Sequence, residues 1–133
     1  MAATTLHETM TRIETIGNAD RTALLPAHEG VNVLPNTPFF ARLLRHARRN
    51  RLAVYDVDMN LKKTYADILS DALTLRQVIK NQLPRDTLAA LRAGREIYVG
   101  VLSAGGYEFT VAMLAILALG AAAVPMSRLN LTV

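Results

Sequence analysis

The sequence predicts an α/β fold: a partial layered α/β domain centred on a right-handed βαβ unit. Three adjacent stretches indicate this unit, namely an apolar strand at 97–102, an almost wholly apolar helix at 107–119 and a second apolar strand at 121–125. Two buried strands joined by a helix imply a parallel pair with a right-handed connection. A helix without a polar face needs cover on both sides, and we expect the preceding residues to leave part of it uncovered.

The first of two amphipathic helices is predicted at 38–49. Thr37 can cap its N-terminus, and Pro38 suits the first helical position, where a missing N–H costs nothing. Phe39 and Phe40 begin its apolar stripe, and arginines occupy the other side.

A short β-hairpin at 52–64 connects this helix to the second one, predicted at 65–82. Its strands run from 52 to 57 and from 61 to 64. Thr64 and Asp67 have the spacing of a capping box. The apolar pattern predicts a buried face made of Tyr65, Ile68, Leu69, Ala72, Leu75 or Val78, and Ile79, with Asp71, Arg76 and Lys80 pointing away from it.

The chain divides into a flexible N-terminal lead at 1–34, a domain at 35–127 and a truncated tail at 128–133. Within the domain, the polar stretch 85–95 joins the second helix to the βαβ unit through one or two helical turns. A chain of 133 residues has the length of one domain, and a hydrophobic content of 51% argues against disorder for most of it. The absence of cysteine excludes a disulfide framework and thiolate chemistry.

A local cluster of arginines accounts for the formal net charge of +4. Such a cluster can bind phosphate or nucleic acid. Phe39 and Phe40 fall on the opposite stripe, so no aromatic side chain joins the basic one, and the pattern favours a solvated helix face. The cluster consists of Arg42, Arg45, Arg48, Arg49 and Arg51.

The stretch 103–106 (Ser-Ala-Gly-Gly) lies between a predicted strand and a predicted helix, where α/β proteins often bind phosphate on backbone N–H groups. It matches neither the dinucleotide-binding glycine pattern nor the phosphate-loop pattern with its lysine. Glu108 would repel an anion there. The pattern favours a simple turn into a packed helix, in which glycine avoids steric strain.

No metal-binding or catalytic group is predicted. His7, His28 and His46 are far apart and lack ligand spacing. Asp56 and Asp58 lie near the end of a strand without a third ligand or an acid–base partner, which is typical of edge and turn residues.

No membrane span is predicted, because Gly120 and Pro125 interrupt the longest apolar run. The N-terminus lacks the apolar core of a secretory signal. A mitochondrial presequence is an alternative, because four apolar residues recur at near-helical spacing, although three acidic residues argue against it. We predict an intracellular protein, cytoplasmic or mitochondrial. The apolar residues are Leu6, Met10, Ile13 and Ile16, and the acidic ones are Glu8, Glu14 and Asp20.

Three stretches carry a family resemblance: PFFARLLRHARRNRLAVYD at 38–56, KKTYADILSDALTLRQVI at 62–79 and EIYVGVLSAGGYEFTVAMLAILALGAAAVPMS at 96–127. Their order and spacing resemble the opening of an AMP-forming acyl-CoA synthetase, in the adenylate-forming (AMP-binding) superfamily that includes luciferases and peptide-synthetase adenylation domains. The resemblance covers about 37–127. Within the superfamily the layout is similar to malonyl-CoA-synthetase-like members.

This resemblance implies a parent activity in which Mg-ATP activates a carboxylate to an acyl-adenylate and the acyl group passes to coenzyme A. The family's phosphate loop, nucleotide-binding motifs and catalytic lysine lie beyond the resembling stretch. No residue here matches a functional position, so ATP, Mg and coenzyme A are implied only for the family. The resemblance predicts an N-terminal fragment that is inactive alone.

Two other functions stay open. One is a non-enzymatic interaction module that docks an exposed apolar surface on a partner protein or on its own copy. The other is a small basic nucleic-acid binder that uses the arginine cluster, although the solvated helix face that we favour predicts no nucleic-acid partner.

Overall fold

A computed structural model describes residues 33–126. Residues 1–32 of the predicted lead and the whole predicted tail (128–133) lie outside the described residues. The described part contains four helices and two small sheets, so the predicted α/β class is confirmed. The helices are α1 (Pro38–Arg48), α2 (Tyr65–Gln82), α3 (Arg85–Arg92) and α4 (Gly106–Leu119), and the strands are β1 (Leu52–Asp56), β2 (Leu61–Thr64), β3 (Tyr98–Leu102) and β4 (Ala122–Met126).

Each sheet has the predicted pairing. Strands β1 and β2 form an antiparallel hairpin. Strands β3 and β4 run parallel, in a register that opposes Tyr98 to Ala122 and Leu102 to Met126. The parallel pair follows from the intervening helix, since a crossover returns the chain in the same direction. Gly120, at φ 90°, ends α4 in the left-handed conformation that glycine adopts without steric cost.

The capping box of α2 is confirmed. The Thr64 hydroxyl accepts a hydrogen bond from the Asp67 N–H at 3.2 Å, and the Asp67 carboxylate accepts one from the Thr64 N–H at 2.8 Å. The Thr64 backbone and hydroxyl hydrogen bonds lower the pKa of Asp67 below its usual value. Because the folded pKa is depressed, the stabilisation is present above the unfolded pKa and is lost as pH falls through the folded one.

We expect Thr64→Ala to lower the free energy of unfolding by about 1 kcal/mol, because it removes the cap and one partner of Asp67. Thr74→Ala is the matched control on the same helix. Its hydroxyl only donates to the Ser70 carbonyl within the helix, so its loss should change little. Urea titration of both variants measures the difference, and equal midpoints would show that the box contributes nothing.

Helix α4 lies between α2 and the β3–β4 sheet. Val111, Leu114, Ala115 and Ala118 pack in one core cluster with α1 and α2. Ile116 packs in a second cluster with Val101 of β3, Ala121 and neighbouring side chains. Ala115 and Ala118 are completely buried, which lets the two long helices approach closely.

The expected uncovered surface is therefore not on α4 itself. Among its large apolar side chains only Leu117 is exposed, at 39%. The strands that precede and follow α4 supply its second cover. A contiguous group of exposed apolar residues lies instead on the far side of the sheet, which nothing in the described chain covers.

Two residues differ from the predicted helix faces. Phe39 is 50% exposed, since the buried stripe of α1 is Phe40, Leu44 and Ala47, and one residue turns a helix by about 100°. Arg76 is buried, although the pattern placed it on the outer face of α2. Of the two alternatives at the end of the α2 stripe, Leu75 packs against the core and Val78 is exposed.

None of the helices within 33–126 is long and apolar enough to cross a membrane.

Candidate functional site

The glycine turn between β3 and α4 is the position at which an α/β protein would hold a phosphate. Gly105 and Gly106 have φ values of 96° and 77°, which residues with a side chain rarely adopt, and both glycines are exposed. No side chain caps the helix N-terminus. A Cβ built on Gly106 would lie 3.9 Å from the Asp56 Oδ2 atom, so the end of β1 sits beside the turn.

The electrostatics of this turn do not suit a triphosphate. The Asp56 carboxylate lies next to Gly106, and Glu108 stands in the first turn of α4. A phosphate here would face two carboxylates and no lysine of the turn. The residues at 103–106 therefore do not fit the nucleotide that the resemblance implies for the family, and their glycines serve the backbone geometry of the turn.

Asp56 also closes the hairpin turn. Its Oδ1 atom accepts a hydrogen bond from the Met59 N–H at 3.1 Å. This contact holds the carboxylate against the backbone of the hairpin turn, and it agrees with the interpretation of Asp56 as a turn residue. Asp58 lies in the same turn.

A polar cluster holds the first turn of α4 in place. The Tyr107 hydroxyl donates to the Asp71 carboxylate of α2, and Lys63 Nζ of β2 lies 3.4 Å from the same oxygen. The lysine also stands 5.1 Å from the centre of the Tyr107 ring. Sequence reasoning missed this cluster, because the members are up to 44 residues apart and Asp71 was placed on the outer face.

Burial, and then the hydrogen bond to Asp71, raise the pKa of Tyr107. A raised folded pKa means that the stabilisation is present below the unfolded value near 10 and declines as pH rises above it. The cluster therefore fixes the helix entry at neutral pH. It contains no nucleophile with an adjacent base, and it is a structural contact between three elements.

We expect Tyr107→Phe to lower the free energy of unfolding by about 1 kcal/mol at pH 7, because one hydrogen bond to a carboxylate is lost. The variant should also lose part of the decline in stability that the parent shows above pH 10. Tyr55→Phe, which changes an exposed hairpin ring, should retain that decline. Chemical denaturation at pH 7 and pH 10.5 tests this, and parallel pH profiles for all three proteins would contradict it.

The arginine cluster lies on the surface, as the sequence predicts. All five arginines are exposed. His46, within α1, stacks on the Tyr65 ring at 5.1 Å and is partly buried. Among residues 33–126 no group of three histidines, cysteines or carboxylates could hold a metal ion; His7 and His28 lie outside them.

The outer face of the β3–β4 sheet is apolar and open. Tyr98, Leu102, Val124 and Met126 are between 41% and 66% exposed. A Cβ built on Gly100 would lie 3.0 Å from the Met126 sulfur, so the Met126 side chain lies against Gly100. The apolar face is therefore continuous across both strands. We call these five residues the outer sheet face.

The two edges of this sheet differ in their capacity to accept another strand. The Ala122 N–H donates to the Ile97 carbonyl at 2.8 Å, so alternation directs the nitrogen of Pro125 to the outer edge of β4. Proline has no N–H, which weakens that edge as a template. The outer edge of β3 keeps the backbone groups of Tyr98, Gly100 and Leu102, and no strand of the described chain pairs with it.

Comparison with known proteins gives a similarity to an acyl-CoA ligase. The chain is 33% identical over 102 residues to acyl-CoA ligase oryP of Aspergillus oryzae (strain ATCC 42149 / RIB 40). The match takes in 75% of this chain and 18% of the ligase, so the chain corresponds to less than a fifth of that protein. No family model matches the chain, and no solved structure does.

This similarity supports an acyl-CoA-ligase-like segment and does not extend to a subfamily. The similarity agrees with one feature of the structure, the incomplete cover of the β3–β4 sheet. A two-stranded parallel sheet with an uncovered apolar face and an intact edge is incomplete as a layer, since parallel sheets are normally covered on both faces. A segment of a larger α/β domain has this appearance.

Proposed function

We propose that this chain is a scaffold segment of an AMP-forming acyl-CoA ligase fold and has no ligase activity by itself. The similarity to the Aspergillus ligase carries the proposal. The order of helix, hairpin, helix and βαβ unit supports the proposal. The finer proposal of a malonyl-CoA-synthetase-like member rests on that layout alone. In the parent fold the segment would supply a packed base for the nucleotide-binding residues.

The side chains described above support a structural role for the segment. Phosphoryl chemistry needs a lysine, a divalent ion and a loop of N–H groups around the transferred charge. The glycine turn instead places Asp56 and Glu108 close to the N–H groups of α4. The partly buried contact of Tyr107 with Asp71 joins α4 to α2.

The direct test is carboxylate-dependent exchange of labelled pyrophosphate into ATP. We expect no exchange above the protein-free rate with short-chain, long-chain or dicarboxylic acids, because within residues 33–126 no side chain stands where it could orient the triphosphate at the glycine turn. A full-length acyl-CoA ligase assayed in parallel is the positive control. Exchange that saturates with one acid would show that the chain has a nucleotide site and would overturn the proposal.

A second candidate function is favoured by the outer sheet face. An exposed contiguous apolar patch on a small chain usually marks a contact surface. The intact β3 edge beside it accepts a strand from a partner through backbone hydrogen bonds. In this reading the partner is a complementary segment of a ligase fold, and the chain acts as an interaction module without chemistry.

A further inference from the structure

The outer edge of β3 can extend the β3–β4 sheet, whereas the outer edge of β4 resists extension. The parallel register directs the backbone N–H and carbonyl groups of Tyr98, Gly100 and Leu102 away from β4. All three residues are exposed, and within residues 33–126 no strand pairs with them. The outer edge of β4 instead carries the nitrogen of Pro125, which has no hydrogen to donate. A strand that joins this sheet should therefore add to β3.

The β3 strand is complementary to itself when two copies run antiparallel. Gly100 is the middle residue of this strand of five residues, so a two-fold axis beside it opposes Gly100 to Gly100 and Tyr98 to Leu102 of the second copy. In an antiparallel ladder, every second opposed pair exchanges both of its backbone hydrogen bonds. This register forms those pairs from the three outward residues, so it leaves no outward backbone group of β3 unpaired.

The side chains at this contact also match. Opposed residues of an antiparallel ladder point to the same face, so Tyr98 meets Leu102 of the second copy on the outer sheet face. Tyr98 and Leu102 are 66% and 47% exposed in the single chain, and the two-fold axis brings them together twice. Each pair removes apolar surface from water, which favours association.

The charges at the two ends of β3 favour the antiparallel direction. Arg92 and Arg95 precede the strand and are exposed, and with the single carboxylate of Glu96 this end stays positive. The other end carries the exposed Glu108, and Asp56 lies beside the glycine turn there. Antiparallel pairing brings the positive end of each copy to the negative end of the other, whereas parallel pairing would bring like charges together.

We propose that two copies of this chain associate through antiparallel β3 strands and form one sheet in the order β4–β3–β3–β4. The contact is closed, because each copy uses its own β3 edge and the joined sheet then ends at the two proline-bearing edges of β4. The α4 helices lie on one side of this sheet, and the two outer sheet faces merge on the other. The proposal goes beyond docking to a segment of a ligase fold, since both partners are this chain, and it is independent of ligase activity.

Disulfide trapping tests the register, because the full chain contains no cysteine. Under mild oxidation, a mixture of Y98C chains and tagged L102C chains should form a covalent dimer with one copy of each, since these positions are opposed. Each variant alone is the matched control. It should form little dimer, because two copies of the same position lie about 13 Å apart along the strands, too far for a disulfide. No mixed dimer, or an equal yield from L102C alone, would overturn the proposal.

Sedimentation equilibrium of two proline variants tests the edge. Leu102→Pro removes an outward N–H of β3 from both copies and should weaken the dimer roughly tenfold or more. Ala123→Pro is the control on the other strand, since its N–H points to the outer edge of β4, and it should leave the dimer intact. Circular dichroism checks that each variant is folded. Equal dissociation constants for the two variants would contradict the proposal, as would a parent that stays monomeric or grows beyond a dimer.

A charge reversal tests the direction of the strands. R95E and E108R should each weaken the dimer roughly threefold to tenfold, because exposed attractive contacts become repulsive at both ends of the interface. The double variant R95E/E108R should regain the affinity of the parent, since the reversed charges again meet their opposites. Additive weakening in the double variant would show that the two ends do not meet, and would overturn the antiparallel arrangement.

Discussion

Arg76→Ala is expected to lower the free energy of unfolding by about 3–5 kcal/mol, enough to unfold much of a domain of this size. Arg76 is 4% exposed, and burial lowers its pKa. Its guanidinium donates to the carbonyls of Val33 and Ala118, the latter at 3.3 Å. Truncation leaves both buried carbonyls without this donor and opens a cavity, and each effect costs about 1–3 kcal/mol.

Two further substitutions separate these effects. Arg76→Met fills most of the volume but donates nothing, so it should retain part of the loss. Arg76→Lys keeps a charge with fewer fixed donors and should fall between Met and the parent. Lys80→Ala, one turn further along α2, controls for the loss of a long cationic side chain. If chemical denaturation gives Arg76→Ala the same midpoint as Lys80→Ala, the buried contacts do not stabilise the fold.

The elements with local signals could be predicted from the sequence. Thr37 and Pro38 mark the start of α1, Thr64 and Asp67 mark that of α2, and Gly120 marks the end of α4. Each signal acts within four residues, through a cap or a turn conformation, so no knowledge of the tertiary structure is needed. The parallel pairing of β3 and β4 also followed, because it depends only on the order strand, helix, strand.

The contacts that were missed are all between residues distant in sequence. Polarity placed Arg76 and Asp71 on the outer face of α2, but the α4 helix that covers this face brings its own partners: the Ala118 carbonyl for Arg76 and the Tyr107 hydroxyl for Asp71. A helical pattern reports which residues are apolar, and it does not report which polar residues find a partner inside. Val33 illustrates the same limit, since nothing local indicates that its carbonyl accepts a buried guanidinium.

The position of the open apolar surface also depends on contacts between residues that are distant in sequence. The sequence predicted that part of the α4 helix would lack cover, which is wrong, because the structure places the uncovered apolar surface on the outer sheet face. A strand of five residues has two faces, and α4 can cover only one of them. Val99 and Val101 face α4, while Tyr98 and Leu102 face outward with the neighbouring side chains of β4.

The outer sheet face should therefore control the behaviour of the isolated chain in solution. We expect the parent to bind a hydrophobic dye and to self-associate, since a contiguous apolar surface beside an intact strand edge favours pairing between molecules. Leu102→Lys with Val124→Lys, at positions that are 47% and 41% exposed, places two positive charges in the centre of this face. The double variant should lose most of the dye fluorescence and should sediment as a monomer.

A matched pair of substitutions tests whether the location matters. Val57→Lys with Met59→Lys adds the same charge and removes two apolar side chains that are even more exposed, at 73% and 76%, but that belong to the hairpin turn. This control should leave dye binding and association nearly unchanged, because the turn offers neither a flat face nor an open edge. Analytical ultracentrifugation and dye titration of the three proteins decide the question. Equal effects of the two pairs would attribute the association to net charge alone, and a parent that is monomeric and does not bind the dye would show that the outer sheet face is covered in solution.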